Sequence, residues 1–235
     1  MNWIVRNILF NRRLDWIITG LFATMLVIGV ILVKYSESYR NLIDTNLLIG
    51  ILIFVGIKVI IKDFYKKKYG KDYSKTLYEN GIKFMDSGDK LKAIELFTKS
   101  IELMKNWMNL DQRGVAYMHI GKFKKAEKDL IESIQLDKNA INICNLGALT
   151  DKKGEHIAAI ELFNKSIELE SENPNAFYNR GISNYQLENY EESINDYSKA
   201  IELDNSKSSA YYNRAFTRQK LGDFDLAIKD YDKAE

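Results

Sequence analysis

The sequence predicts an all-α protein: a two-helix transmembrane hairpin followed by an α-solenoid of about five helix–turn–helix repeats. Three observations predict it. Two long apolar runs lie near the N-terminus, small residues recur at fixed spacing through the rest of the chain, and helix breakers are scarce. A single proline, Pro174, occurs in 235 residues. Proline ends or kinks a helix, whereas the abundant Leu, Ile, Lys and Glu favour one.

The apolar runs come first. Residues 16–33 carry no charge and are bracketed by Arg12, Arg13 and Asp15 on one side and Lys34 on the other. Roughly 17–20 apolar residues cross a bilayer core. A cleaved signal peptide would need a shorter apolar core and a small-residue cleavage site; the run ends in Lys34, Tyr35, Ser36 and Glu37 instead. The second run, 47–61, contains Lys58, placed about one turn from the end so that its ammonium can reach the interface. Membrane helices are thus expected over about 14–33 and 44–61, forming an anchor of residues 1–61. Orientation follows the Lys and Arg count of the flanks. Arg6, Arg12 and Arg13 precede the hairpin, Lys62, Lys66, Lys67 and Lys68 follow it, and the loop holds only Lys34 and Arg40. Both termini are therefore expected in the cytoplasm. Residues 62–73 read as a basic juxtamembrane linker that fixes topology beside lipid headgroups. The Lys-, Asn- and Ile-rich composition points to an AT-rich bacterium and hence to an inner membrane.

Charge divides along the same line. Residues 1–61 carry a net +3, residues 62–75 a net +4, and the remainder a net −5. The long C-terminal part is mildly acidic and has no nucleic-acid footprint. One cysteine, Cys144, cannot close an internal disulfide, so the fold needs no oxidising compartment.

From residue 74 onward the chain repeats itself. Gly81, Gly114, Gly147 and Gly181, with Ala215 in the fifth place, stand 33 or 34 residues apart. Twelve residues after each comes Ala93, Ala126, Ala159, Ser193 or Ala227, and four further on Phe97, Leu130, Phe163, Tyr197 or Tyr231. Another small residue then follows: Ser100, Ser133, Ser166, Ala200 or Ala234. A turn glycine lies seven after the first mark at Gly88, Gly121, Gly154 and Gly222, with Glu188 in the fourth repeat. Helices approach closely only where side chains are small, and the bulky residue fills the space beside that contact. Paired Ile and Leu at Ile101/Leu103, Ile134/Leu136, Ile167/Leu169 and Ile201/Leu203 are expected to serve as apolar teeth for the next repeat. No single repeat buries its own face, so neighbours must stack.

This pattern resembles the tetratricopeptide repeat family over residues 74–235, with repeats starting near 74, 107, 140, 174 and 208. The resemblance implies helix–turn–helix units stacked into a right-handed superhelix. Some family features are missing. The usual inter-repeat proline is replaced by Lys105, Lys138 and Asn205, and the frequent first-helix aromatic by Thr150, Asn184 and Arg218. The sequence given stops inside the second helix of repeat five. It is thus expected either to be a fragment or to offer an uncapped apolar face to a second chain.

In this family the first helix of each repeat lines a groove for protein or peptide partners. Carried over, the groove residues are Tyr78, Gln112, Asn145, Tyr178, Asn179, Tyr185, Tyr212, Asn213 and Phe216. Asn145, Asn179 and Asn213 form a ladder of carboxamides, which both donate and accept and so suit an extended backbone. The aromatics suit apolar anchors. The family's clamp for a chaperone's C-terminal carboxylate is not expected here: only Asn179 of its set is matched, while Cys144, Ala148, Ser209 and Asn213 occupy the other places. Arg113, Arg180 and Arg214 are expected to lie along the helix pair beside acidic side chains. No phosphate-binding glycine loop, no Cys or His pair at metal spacing and no His-Glu-x-x-His is present. No catalytic residue, metal or cofactor is therefore expected. The leading expectation is a membrane-anchored scaffold or adaptor that recruits a protein or peptide. The alternative is an oligomeric or channel-like membrane effector whose hairpin acts and whose repeats regulate.

Overall fold

The computed structural model describes residues 45–234, in which all ten elements are α-helices. They are α1 Thr45–Asp86, α2 Lys90–Leu103, α3 Trp107–His119, α4 Phe123–Leu136, α5 Ala140–Lys152, α6 His156–Leu169, α7 Pro174–Gln186, α8 Tyr190–Leu203, α9 Ser208–Leu221 and α10 Phe224–Ala234. The chain divides into two compact units, residues 1–74 and 75–235.

In the first unit, the expected span at 14–33, with Arg12 and Arg13, lies outside the described residues. Of the expected span at 44–61, side chains are described only from Ile53 onward. Among the described residues, no helix is long and apolar enough to cross a membrane. Ile53, Ile57, Ile60, Ile61 and Phe64 are all exposed on α1. Ile53, Ile57, Ile60 and Phe64, three or four residues apart, lie along one face, and Val59, also exposed, lies off it. Lys62, Lys66, Lys67 and Lys68 follow, also exposed, with Lys67 paired to Asp63 at 3.0 Å.

In the second unit, the last turns of α1 serve as the first helix of repeat one, and α2 to α10 complete five helix pairs. The recurring small residues do what their spacing requires. A Cβ on Gly81 would lie 2.5 Å from the Phe97 ring, one on Gly147 2.7 Å from Phe163, and one on Gly181 2.8 Å from Tyr197. Ala93, Ala126, Ala159 and Ser193 are fully buried against these contacts. The fifth repeat tolerates Ala215 because its bulky partner, Tyr231, is only half-buried and leans on the Tyr212 ring, 5.5 Å away. Two of the second small positions also bond within their repeat: Ser133 Oγ donates to the Trp107 carbonyl and Ser166 Oγ to that of Ala140.

The turns inside each repeat need a left-handed residue. Gly88, Gly121, Gly154 and Gly222 supply it, and Glu188 adopts φ 62° in the fourth repeat. Three of the four turns between repeats close without the family's proline. At the first two, buried Asn109 and Asn142 donate back to the Met104 and Asp137 carbonyls. Asn106 and Asn139 accept from the first-turn N–H groups of the next helix, and at the third joint Asn173 does so ahead of Pro174. A side-chain oxygen at this position satisfies donors that the helix itself leaves unpaired.

The core is serial. One cluster joins Met118, Ala126 and Leu130 of repeat two to Leu149 of repeat three; a second joins Cys144, Ala159 and Phe163 to Ala176; a third joins Ala200 and Ile201 to Ala210 and Tyr211. Of the expected teeth, Ile167 and Ile201 pack into these joints, but Leu136 and Leu169 are about half exposed. The leucines follow the isoleucines by two residues, and on a helix that turns them to another face.

Candidate functional site

The first helices α3, α5, α7 and α9 lie side by side in chain order and form a continuous wall. Every groove residue expected from the sequence is on these helices or on the end of α1. The structure splits them into two halves of different character.

The half formed by repeats four and five is aromatic. Tyr212 is 53% exposed and Phe216 40% exposed. Tyr185 sits between the Tyr190 and Phe216 rings at 5.5 and 5.7 Å. Tyr178 packs 5.8 Å from the buried Tyr197 ring, with the Lys207 ammonium 4.9 Å from its own centroid. Lys220 lies 5.7 Å from the Phe216 ring. Such rings offer apolar area with a polar or cationic edge, the chemistry of interface anchors.

The half formed by repeats one to three is polar and contains a buried acid. Asp111 is 1% exposed. Its Oδ2 accepts from Asn145 Nδ2 at 2.8 Å and from Gln112 Nε2 at 3.3 Å. Its Oδ1 is the one buried side-chain polar atom without a hydrogen-bond partner among the described residues. Burial pushes the Asp111 carboxyl up to about 6, against the downward pull of the two amides. Burial, and then the Asp111 charge, raise the Tyr78 hydroxyl as well. Burial pushes the Cys144 thiol up to about 11. It is a small packed side chain, not a reactive thiolate.

The three asparagines stand one per repeat on the first helices, and part of each is spent inside the protein. Asn145 donates to Asp111 Oδ2, Asn179 to Cys144 Sγ at 3.7 Å, and Asn213 to the Tyr178 hydroxyl at 3.1 Å. Each rung therefore ties its helix to the preceding repeat. One N–H of each amide is committed to that tie; a second N–H and the carbonyl oxygen complete the group's capacity.

The recurrent arginines lie along the helix pairs beside acidic side chains, as expected. Arg113 forks onto Asp129 at 2.7 and 2.9 Å, Arg180 onto Asp196, and Arg214 onto Asp230 at 2.8 and 2.7 Å. Each also reaches the preceding repeat, at Thr98, Asn164 and Ser198 respectively. The sequence marks the arginines as a series but not these bonds to the previous repeat. His156, one of two histidines in the chain, bonds Asp151 at 2.8 Å, and Ser183 shares that carboxylate.

Comparison with known proteins agrees with this architecture. A "TPR repeat" family profile matches residues 183–222 and a "Tetratricopeptide repeat" profile matches residues 110–139. No curated protein matches the chain in sequence. Among solved structures, MamA superposes with a TM-score of 0.53 at 27% identity, covering 66% of this chain and 91% of that one. A MamA from Desulfovibrio magneticus RS-1, residue 41 to its end, gives 0.55 at 19% identity, with 69% and 93% covered. PilF of Pseudomonas aeruginosa gives 0.63 at 16% identity, with 70% and 76% covered.

Proposed function

We infer, from the premise that this chain is a tetratricopeptide repeat protein and so a protein–protein interaction scaffold, that its first-helix face recruits a protein segment at a membrane surface. The observation that carries the reading is the open aromatic wall of repeats four and five. Tyr212 and Phe216 remain exposed on the face the family uses for partners, although each is large enough to bury substantial apolar area.

The membrane part of the proposal draws on the first unit. Residues 16–33 are uncharged for long enough to span, and the described part of α1 exposes Ile53, Ile57, Ile60, Ile61 and Phe64 ahead of a lysine cluster. Exposed apolar side chains followed by cations suit a helix leaving a bilayer on its cytoplasmic side. The proposed location is a bacterial inner membrane with the repeats in the cytoplasm.

The test uses the full chain in mild detergent, wild type beside a Tyr178→Ala, Asn179→Ala, Tyr212→Ala variant. Affinity purification with mass spectrometry and mass photometry should recover a partner with wild type and lose it with the variant. Recovery of a homo-oligomer alone, unchanged by the substitutions, would remove the recruiting role. Alkaline carbonate extraction of expressing cells should leave the wild-type chain in the membrane pellet; its appearance in the soluble fraction would remove the anchor.

A further inference from the structure

We propose that the first-helix face at the junction of repeats two and three is a subsite for a cationic side chain, a lysine or arginine of the recruited protein, with the Asp111 carboxylate as its counter-charge. The proposal rests on the reading of this face as the recruiting surface and specifies the chemistry of what it holds.

Asp129, Asp196 and Asp230 are the natural comparison. They are 3%, 4% and 3% exposed, and each is neutralised by an arginine of its own repeat. Asp111 is buried at least as deeply, yet only two neutral amides meet it, both on Oδ2. Its Oδ1 has no partner. A buried carboxylate is costly unless a cation or several donors compensate it.

The joint does not need that charge. At the next two joints the same asparagine tie ends on neutral acceptors, Cys144 Sγ and the Tyr178 hydroxyl. A carboxylate at this rung therefore adds a capacity that the packing itself does not use.

The surroundings suit an ammonium or guanidinium. Asn145 and Gln112 turn their N–H groups to Asp111, so each carries a carbonyl oxygen one atom away from that contact. Oδ1 is the acceptor for an N–H of the ammonium or guanidinium, and the amide oxygens are of the type that accepts its remaining donors. Gln112 is half-buried and holds the longer of the two bonds, so it is the amide that yields the more readily to an incoming cation.

The test immobilises the full chain in detergent as wild type, Asp111→Asn and Asp111→Cys. The cysteine variant copies the residue that repeat three already uses in this place. Each is used to select from displayed random twelve-residue peptides. The wild-type pool should enrich Lys or Arg at one position, and the variant pools should not. A selected peptide with its basic residue replaced by methionine should then lose about tenfold in affinity for wild type, a loss of about 1.4 kcal/mol. The same replacement should matter less than twofold for either folded variant, read by fluorescence anisotropy at pH 7.5. Pools enriched alike in apolar residues overturn the cation subsite and leave the recruiting face standing, as does a basic preference that survives in both variants. No enrichment at all, or peptide binding indifferent to the Tyr178→Ala, Asn179→Ala, Tyr212→Ala substitutions, overturns the recruiting face and the subsite with it.

Discussion

Asp111 and Glu188 each break a local rule, and each break has a measurable consequence. The Asp111 carboxyl ordinarily titrates near 3.8 but is pushed up to about 6 in the fold. Between those values the folded chain holds a proton that the unfolded chain has released. Stability from this group is therefore complete below about pH 4, falls as pH rises through the window, and levels off above about 6. A displacement of that size corresponds to on the order of 3 kcal/mol. Urea unfolding of wild type and Asp111→Asn should show the variant gaining stability at pH 7.5 relative to its difference at pH 4.5; an equal difference at both values would refute the raised carboxyl. Glu188 carries φ 62°, where its four counterparts are glycine. A non-glycine residue there costs roughly 1–2 kcal/mol. Glu188→Gly should thus raise the unfolding free energy, read by urea denaturation, by about 1 kcal/mol after the unfolded-state entropy of glycine is subtracted. The odd residue at position 188 is legible from spacing alone. The orphaned oxygen of Asp111 is not, because burial of one carboxylate oxygen depends on packing across three helices.

The helix pairs show which polar groups are structural. Arg113–Asp129, Arg180–Asp196 and Arg214–Asp230 clamp the two helices of repeats two, four and five. In repeat three the same two places hold Leu146 and Leu162. The missing first-helix aromatics belong to this exchange: Asn184 and Arg218 stand in their place and bond Asp196 and Asp230 at 2.9 and 2.6 Å. Thr150, in the repeat without an ion pair, turns to its own Leu146 carbonyl instead. Removing one partner of a buried pair leaves an uncompensated charge at a cost of about 3–5 kcal/mol, whereas an apolar pair of similar volume is often neutral. Arg180→Leu alone should therefore lower the urea midpoint sharply. Arg180→Leu with Asp196→Leu and Asn184→Thr, which copies repeat three, should recover most of the loss. A triple variant as unstable as the single one would mean that the clamp is not interchangeable. From the sequence the arginines are visible as a series, but their partners are sixteen residues away and are identified only once the helices are paired. The asparagine ties are harder still. Their acceptors lie 34 or 35 residues earlier and change from Asp to Cys to Tyr, so no residue type repeats to reveal them.

At the level of the array, the 33- and 34-residue recurrence is enough to predict the helix pairs, since each small residue is forced by a backbone approach that nothing larger allows. It is not enough to predict how stability is shared, which depends on which helices touch. Among the described residues, substantial packing joins each helix from α2 onward to those one or two places along the chain, and the apolar clusters sit at the joints, not in one common centre. Such an array has approximately additive repeat and nearest-neighbour terms, and damage should stay local. Leu130 is fully buried beneath Gly114 and belongs to the cluster joining repeats two and three. Leu130→Ala should cost about 2–5 kcal/mol. Hydrogen exchange read by mass spectrometry should then accelerate in α3 to α6, which share that cluster or border it. The slowest amides of α9 should keep their wild-type rate, because no contact of theirs passes through Leu130. Uniform acceleration from α3 to α10 would show instead that the array unfolds as one cooperative body, and the aromatic wall of repeats four and five could not then be held steady independently of the acidic wall of repeats two and three.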